Sequence, residues 1–331
     1  MAEVVTGEEE RLERERVLGR GQYLRQLLIA DGFSPQEANE FLTHLHDALQ
    51  GKGEFKRLVR KRPQHVLLAG DVHANLRHMR YLIEVAKAKN IDRIFQLGDF
   101  GYWEHEPAGV EYLDQVQALA EAAGVTVYFL DGNHDNLSLL LDKYQDCVDE
   151  EGFLKVRERI RYAPRGHRWT WAGVRFIALG GAYSVDKAQR LAWEKSRGKP
   201  ESLWFPQEQM TDDDMARILL DNTPVDVILA HDKPLNSRPG WNRKDLSGCL
   251  PNQRRLQRAC DALAPKLFVH GHLHYRYSDQ LIYPGELNTT VEGLTCDDEA
   301  TETYPYVRED SHLILRLDDG SITHSTRLGE S

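Results

Sequence analysis

VLLAGDVHANLRHMRYLIEVAKAKNIDRIFQLGDF, residues 66–100, carries two short apolar runs around one amphipathic segment, and each run ends on a Gly-Asp pair. Residues 66–69 read as a buried strand. Leu76, Met79, Leu82, Ile83 and Ala86 then recur at the spacing of one helix face, and 93–97 supplies a second strand. A helix over 109–123 leads to a strand at 125–130, completing the β-α-β-α-β alternation of a largely parallel sheet in an α/β domain. Later strand candidates lie at 174–179, 225–230 and 266–269. From 275 to 328 no helical period is present, and short runs such as 313–317 predict antiparallel strands. Between 184 and 222 a polar stretch has Thr211 and Asp214 at capping-box spacing and reads as an insertion near the mouth of a site.

Behind these runs come Asp71-Val72-His73, Gly98-Asp99, Gly132-Asn133-His134-Asp135, His231 and Gly271-His272-Leu273-His274. Open α/β sheets bind ligands outside the carboxyl ends of their strands, where these residues fall. In extended backbone, side chains at i and i+2 share a side, so Asp71 with His73 and His272 with His274 are each expected to grip one ion together. Gly70, Gly98, Gly132 and Gly271 leave room for close backbone approach. Asp99, with two oxygens and a central place in the order, suits a bridge between ions, and Asn133 offers a neutral oxygen. Carboxylates and imidazoles gathered this way are the donors of a two-metal hydrolytic site, with Mn, Fe or Zn as the divalent ions.

The set D-x-H, G-D, G-N-H-D, H and G-H-x-H, in this order, resembles the calcineurin-like metallophosphoesterase superfamily across residues 66–328. That resemblance implies a β-sandwich flanked by helices, in α/β/β/α layers, and hydrolysis of phosphodiester or phosphomonoester bonds. It assigns Asp71, His73 and His274 to one metal and Asn133, His231 and His272 to the other, with Asp99 between and a bridging hydroxide as nucleophile. His134 is then the residue that contacts phosphate and protonates the leaving oxygen. The protein Ser/Thr phosphatases extend the second motif with an Asp and an Arg. Here the run continues Phe100-Gly101-Tyr102-Trp103, which sets that branch aside, leaves the orientation of His134 open and favours diesters over monoesters, since the second motif brings no clamping arginine. Residues 180–187 and 204–208 resemble a bacterial and phage-type subgroup.

Other residues carry two readings. Asn75 touches substrate or caps a helix. His270 ends a strand and reads as a buried, hydrogen-bonded histidine in preference to a ligand. Tyr102, Trp103 and Tyr183 pack, or wall a pocket.

The chain has 331 residues, 41% of them apolar, and a formal net charge of −10. Such acidity disfavours a broad nucleic-acid-binding face, although the basic clusters at 56–62 and 157–168 leave a nuclease as the alternative function. A non-catalytic scaffold on the same fold is the rival from another class, and it is disfavoured because every ligand position is filled. No run is long enough to span a membrane, the Glu- and Arg-rich N-terminal stretch shows no apolar h-region, and the four cysteines have no CxxC spacing, which together lead to the expectation of a cytoplasmic protein. Residues 1–62 read as an N-terminal helical extension, with Ser34 and Pro35 opening a helix that carries Ala38, Phe41, Leu42, Leu45 and Leu49 on one face and is able to form an oligomer interface; residues 63–331 are the phosphoesterase domain.

Overall fold

The computed structural model describes residues 22–26, 38–39, 41–43, 64–239, 247–284, 288–297, 308–318 and 320–325. The chain divides into two compact units, Met1–Arg62 and Pro63–Ser331. In the first, the described residues are helical and Ala38 is buried. Ser34, Pro35, Leu45, Leu49 and the basic run 56–62 lie outside the described residues.

Among its described residues the second unit holds thirteen strands. They are β1 (Gln64–Ala69), β2 (Arg93–Gln96), β3 (Thr126–Phe129), β4 (Leu154–Arg157), β5 (Ile160–Tyr162), β6 (Arg168–Trp171), β7 (Val174–Leu179), β8 (Val227–Ala230), β9 (Leu267–His270), β10 (Tyr277–Ile282), β11 (Asn288–Gly293), β12 (His312–Asp318) and β13 (Ser321–Ser325). One sheet runs β13-β12-β1-β2-β3-β5-β4 and the other β10-β11-β9-β8-β7-β6. β1, β2, β3 and β5 are parallel in the first; β7, β8, β9 and β11 are parallel in the second. The expectation of antiparallel strands after residue 275 holds for β10, β12 and β13, whereas β11 is antiparallel to β10 but parallel to β9.

Period-two alternation within apolar runs builds the layers. Val66, Leu68, Phe95 and Leu97 of one sheet share a core with Phe176, Ala178, Val227, Leu229 and Val269 of the other. The opposite faces of β1 to β3, through Leu67, Ala69, Ile94, Val127 and Phe129, pack on helices α1 (Leu76–Ala88) and α2 (Pro107–Ala123). After α3 (Leu137–Tyr144) and α4 (Lys187–Arg197), helices α5 (Asp212–Leu219) and α6 (Leu250–Leu263) cover Ile177, Ile228 and Phe268. This is the two-sheet sandwich flanked by helices that the motif order implies. α2 starts two residues before the apolar spacing predicts because Pro107 suits the first turn, where its missing N–H is no loss. The capping box of α5 forms: Thr211 Oγ1 accepts from Asp214 N–H at 3.0 Å, and Asp214 Oδ2 accepts from Thr211 N–H at 2.8 Å.

The loop after β2, which carries Asp99, is anchored by Glu104. Its side chain is 2% exposed and accepts from Tyr102 Oη at 2.8 Å, Tyr144 Oη at 2.9 Å, Lys143 Nζ at 3.0 Å and Arg157 Nη2 at 2.6 Å. Burial pushes this carboxyl up, but the bonds from Arg157 and Lys143 and the two phenols outweigh it and bring the pKa to about 2. A depressed carboxylate stabilises the fold above its ordinary value of 4.5, and that contribution is lost as pH falls toward 2. Glu104→Gln is therefore expected to lower the unfolding free energy at pH 7 by about 2–3 kcal/mol and to flatten the loss of stability between those pH values, as measured by denaturant melts across the acid range.

Candidate metal centre

Parallel strands from both sheets deliver the motif residues. β1, β2 and β3 run into Asp71, Asp99 and Asn133, while β8 and β9 run into His231 and the His272–His274 turn. The backbone there is not extended. His73, Asp99, His272 and His274 have φ of 46°, 54°, 62° and 52°, left-handed values that L residues adopt at a cost. Asp71 and His73 thus converge through a tight turn, which replaces the i, i+2 reasoning, whereas the expectation that His272 and His274 grip one ion together fails: the turn sends His274 to Asp71 and His73, and His272 to Asp99 and His231.

Asp71 and Asp99 are buried, and each divides its carboxylate between two tasks. Asp71 Oδ1 accepts the backbone N–H of His272 at 2.9 Å, and Asp99 Oδ1 accepts that of His134 at 2.8 Å. Gly271 stands directly before His272 and Gly132 two residues before His134, and a Cβ on either would overlap the carboxylate oxygen lodged against it. The other oxygens face imidazoles. Asp71 Oδ2 lies 3.0 Å from His274 Nε2 and 3.9 Å from His73 Nε2, and Asp99 Oδ2 lies 3.5, 3.8 and 3.4 Å from Nε2 of His73, His134 and His231. Donors that share one ion at bond lengths of about 2.0–2.2 Å stand roughly 3–4 Å apart, so the separations and the donor chemistry both fit divalent transition metals.

Supporting bonds aim these rings. His231 Nδ1–H donates to the Leu97 carbonyl at 2.7 Å and His73 Nδ1–H to Asp297 Oδ1 at 2.9 Å, which turns each Nε2 toward the carboxylates. Asn133 Nδ2 donates to Ser184 Oγ at 3.1 Å, leaving its Oδ1 3.1 Å from His231 Nε2. The Ser184 hydroxyl is bonded to buried Glu208, whose Oε2 also accepts the Ser184 N–H at 3.2 Å.

Burial opposes every charge in the cluster, and mutual attraction overcomes it for most members. It would lower His231 and His274, but Asp99 and Asp71 raise His231 to about 10, and the Asp71 bond raises His274 to about 10. Burial would raise Asp71, yet His231 and His274 bring it to about 2. His134 goes the other way: burial, with Arg190 and His73 adding to it, lowers it to about 4 against the pull of Asp99. The field that holds positive charge on these rings is the field that attracts a cation between them.

Donor atoms close enough to share an ion come from Asp71, His73 and His274, from His73, Asp99 and His134, and from Asp99, His231 and His272. Asn133 joins through its amide oxygen. Asn75 caps α1, its Oδ1 accepting the His78 N–H at 3.1 Å, while Nδ2 donates to Asp297 Oδ2 at 2.9 Å; it does not line the cleft. His270 is buried, with Tyr277 Oη donating to Nε2 at 2.7 Å and Nδ1–H donating to the Gly271 carbonyl at 2.8 Å. Asp135 turns away from His134 and gathers the N–H groups of Phe100, Gly101, Tyr102 and Gly132. His134 is held through its backbone, with Trp103 Nε1 donating to its carbonyl at 2.6 Å, and its ring Nε2 is met by Asn133 Nδ2 at 3.1 Å and Arg190 Nη2 at 3.2 Å. Tyr102 is packed in the core and Tyr183 lies against Gly248. Above the cluster opens a cleft of about 990 Å³ lined by His134, Trp103, His105, Arg190, Arg197 and Leu203 among others.

The sequence profile described as calcineurin-like phosphoesterase matches residues 64–276. The chain belongs to that family. No curated protein sequence matches it. Among solved structures it is similar to TT1561 of Thermus thermophilus, at 13% identity over 80% of this chain and 100% of that one, with a TM-score of 0.47. It is also similar to a dimetal phosphatase from Danio rerio, at 13% identity over 79% and 95% of the two chains with a TM-score of 0.46, and to an archaeal phosphodiesterase, at 10% identity over 79% and 99% with a TM-score of 0.36.

Ser184 and Glu208 fall in the 180–187 and 204–208 stretches that resemble the bacterial and phage-type subgroup, whereas Asp297 and Arg190 have no motif spacing to announce them; only the rule that a ligand histidine binds a carboxylate or carbonyl through its other nitrogen points to a partner such as Asp297. Asp297→Ala and Ser184→Ala are each expected to weaken metal affinity about 10–100-fold, read by competition with a chelating indicator. Unchanged affinity in both would remove the supporting role.

Proposed function

We propose that this protein is a metal-dependent phosphoesterase with a dinuclear centre. Asp71, His73 and His274 would hold one divalent ion, Asn133, His231 and His272 the other, and Asp99 would lie between them; Mn, Fe and Zn all suit these donors. The observation that carries the reading is the convergence of Asp71 Oδ2 and Asp99 Oδ2 with four imidazole nitrogens at the floor of the cleft. Bound there, the ions would polarise phosphoryl oxygens and generate a hydroxide nucleophile near neutral pH.

The chain's own groups supply the rest. His134 lines the cleft 3.8 Å from Asp99 Oδ2, placed to meet the phosphoryl group and, once it has taken up a proton, to pass it to the departing oxygen. Asn75 serves the site through Asp297, which it shares with His73. A diester preference argued from a lacking arginine loses its premise, because Arg190 lines the cleft beside His134. The open cleft leaves room for substituents on either side of a phosphate, so diesters and monoesters both remain within reach.

A nuclease finds less support. Arg157, Arg161, Arg165 and Arg168 pair with Glu104, Asp149, Asp131 and Asp221 at 2.6, 2.9, 2.7 and 3.4 Å, so these charges are largely spent on the protein itself. No helix among the described residues is long and apolar enough to cross a membrane.

Metal-loaded protein is expected to hydrolyse bis(p-nitrophenyl) phosphate, p-nitrophenyl phosphate or both, to lose turnover in chelator and to regain it with added Mn. His134→Ala should lower kcat about 10²–10⁴-fold while elemental analysis still finds two metals per chain. A folded, metal-loaded protein without turnover on either ester contradicts the proposal.

A further inference from the structure

α4 contributes little to the core. Only Glu194 of its residues is buried, and Leu191 and Trp193 stand exposed. Arg190 and Arg197 of this helix both line the cleft, and the guanidinium of Arg190 is held in place there. Arg190 Nε donates to Asp186 Oδ2 at 2.7 Å, Nη1 donates to the Leu203 carbonyl at 3.1 Å, and Nη2 lies 3.2 Å from His134 Nε2. The segment carrying Leu203 is itself pinned, because Glu194 Oε1 accepts the N–H groups of Ser202, Leu203 and Trp204 at 2.9, 2.7 and 2.7 Å. The fork is therefore fixed on two sides, with its third side turned into the cleft.

From this arrangement we infer that Arg190 is the anion clamp of the site, binding a nonbridging oxygen of the substrate's phosphoryl group, and that α4 with the 202–204 segment exists to present it. The inference rests on the phosphoesterase reading and adds a substrate-binding residue from outside the five motifs. Its nearest alternative is a structural pair with Asp186, but a partly exposed i, i+4 pair contributes little to stability. It also leaves the Nη2 contact with His134 without a purpose. An imidazole nitrogen is a weaker acceptor than a phosphoryl oxygen, so an entering phosphate draws Nη2 to itself from His134.

Calorimetry of inorganic phosphate binding to the metal-loaded full chain tests this, with metal content and melting temperature measured alongside. Arg190→Ala is expected to bind phosphate about tenfold or more weakly than wild type and to raise KM for p-nitrophenyl phosphate, with both metals retained. Arg190→Lys, which keeps the charge but not the fork, should recover part of the loss, and it carries the test if the alanine variant does not fold. Three results overturn the clamp: wild-type phosphate affinity in the variants, loss of the metals together with the phosphate, or a wild type that binds no phosphate. A wild type that binds phosphate through Arg190 but hydrolyses neither ester sinks the phosphoesterase reading and leaves the clamp standing.

Discussion

Two buried carboxylates, each shared between a backbone N–H and a group of imidazoles, are the constraint on which this structure turns. Removing Asp71 and Asp99 from water is costly unless each oxygen finds a partner. One oxygen of each is satisfied by the turn of a different motif, at His272 and His134. The other is left facing Nε2 atoms that a cation can share. The same carboxylates thus lock the motif turns together and create the field at the floor of the cleft.

The sandwich makes this possible. Parallel strands of both sheets end on the same side of the shared core, so residues that follow β1 and β9, 203 positions apart in sequence, meet at Asp71 and His274. Short loops then hold the donors at fixed backbone angles, and Asp135 tightens one of them by gathering four N–H groups on a carboxylate that burial raises to about 6. Around that rigid floor, the segment from Ser184 to Glu208 contributes from outside: Ser184 sets the amide of Asn133, and Arg190 reaches the ring of His134.

Much of this is legible in the residues themselves. Apolar runs ending on Gly-Asp and Gly-Asn place β1, β2 and β3 and the donors behind them, since burial on both faces leaves little freedom in reading such strands. The glycines at 132 and 271 are readable as points of close approach, because a small residue before a ligand has few other uses. The left-handed backbone at His73, Asp99, His272 and His274 is not, as local preference argues against it and only tertiary contacts enforce it. Asp297 is equally hidden: it lies 224 positions from His73, in a stretch whose pattern announces strands and nothing more. An arginine beside the phosphate is missing from the second motif, yet Arg190 reaches the cleft from α4, because a side chain's reach across a cleft leaves no periodic trace.

Electron paramagnetic resonance of the Mn-loaded full chain, calibrated for metal content, addresses the shared-carboxylate centre most directly. Two ions bridged through Asp99 predict two Mn per chain and the multiline spectrum of an exchange-coupled pair. A single Mn per chain, or the six-line signal of isolated ions at full loading, contradicts the account.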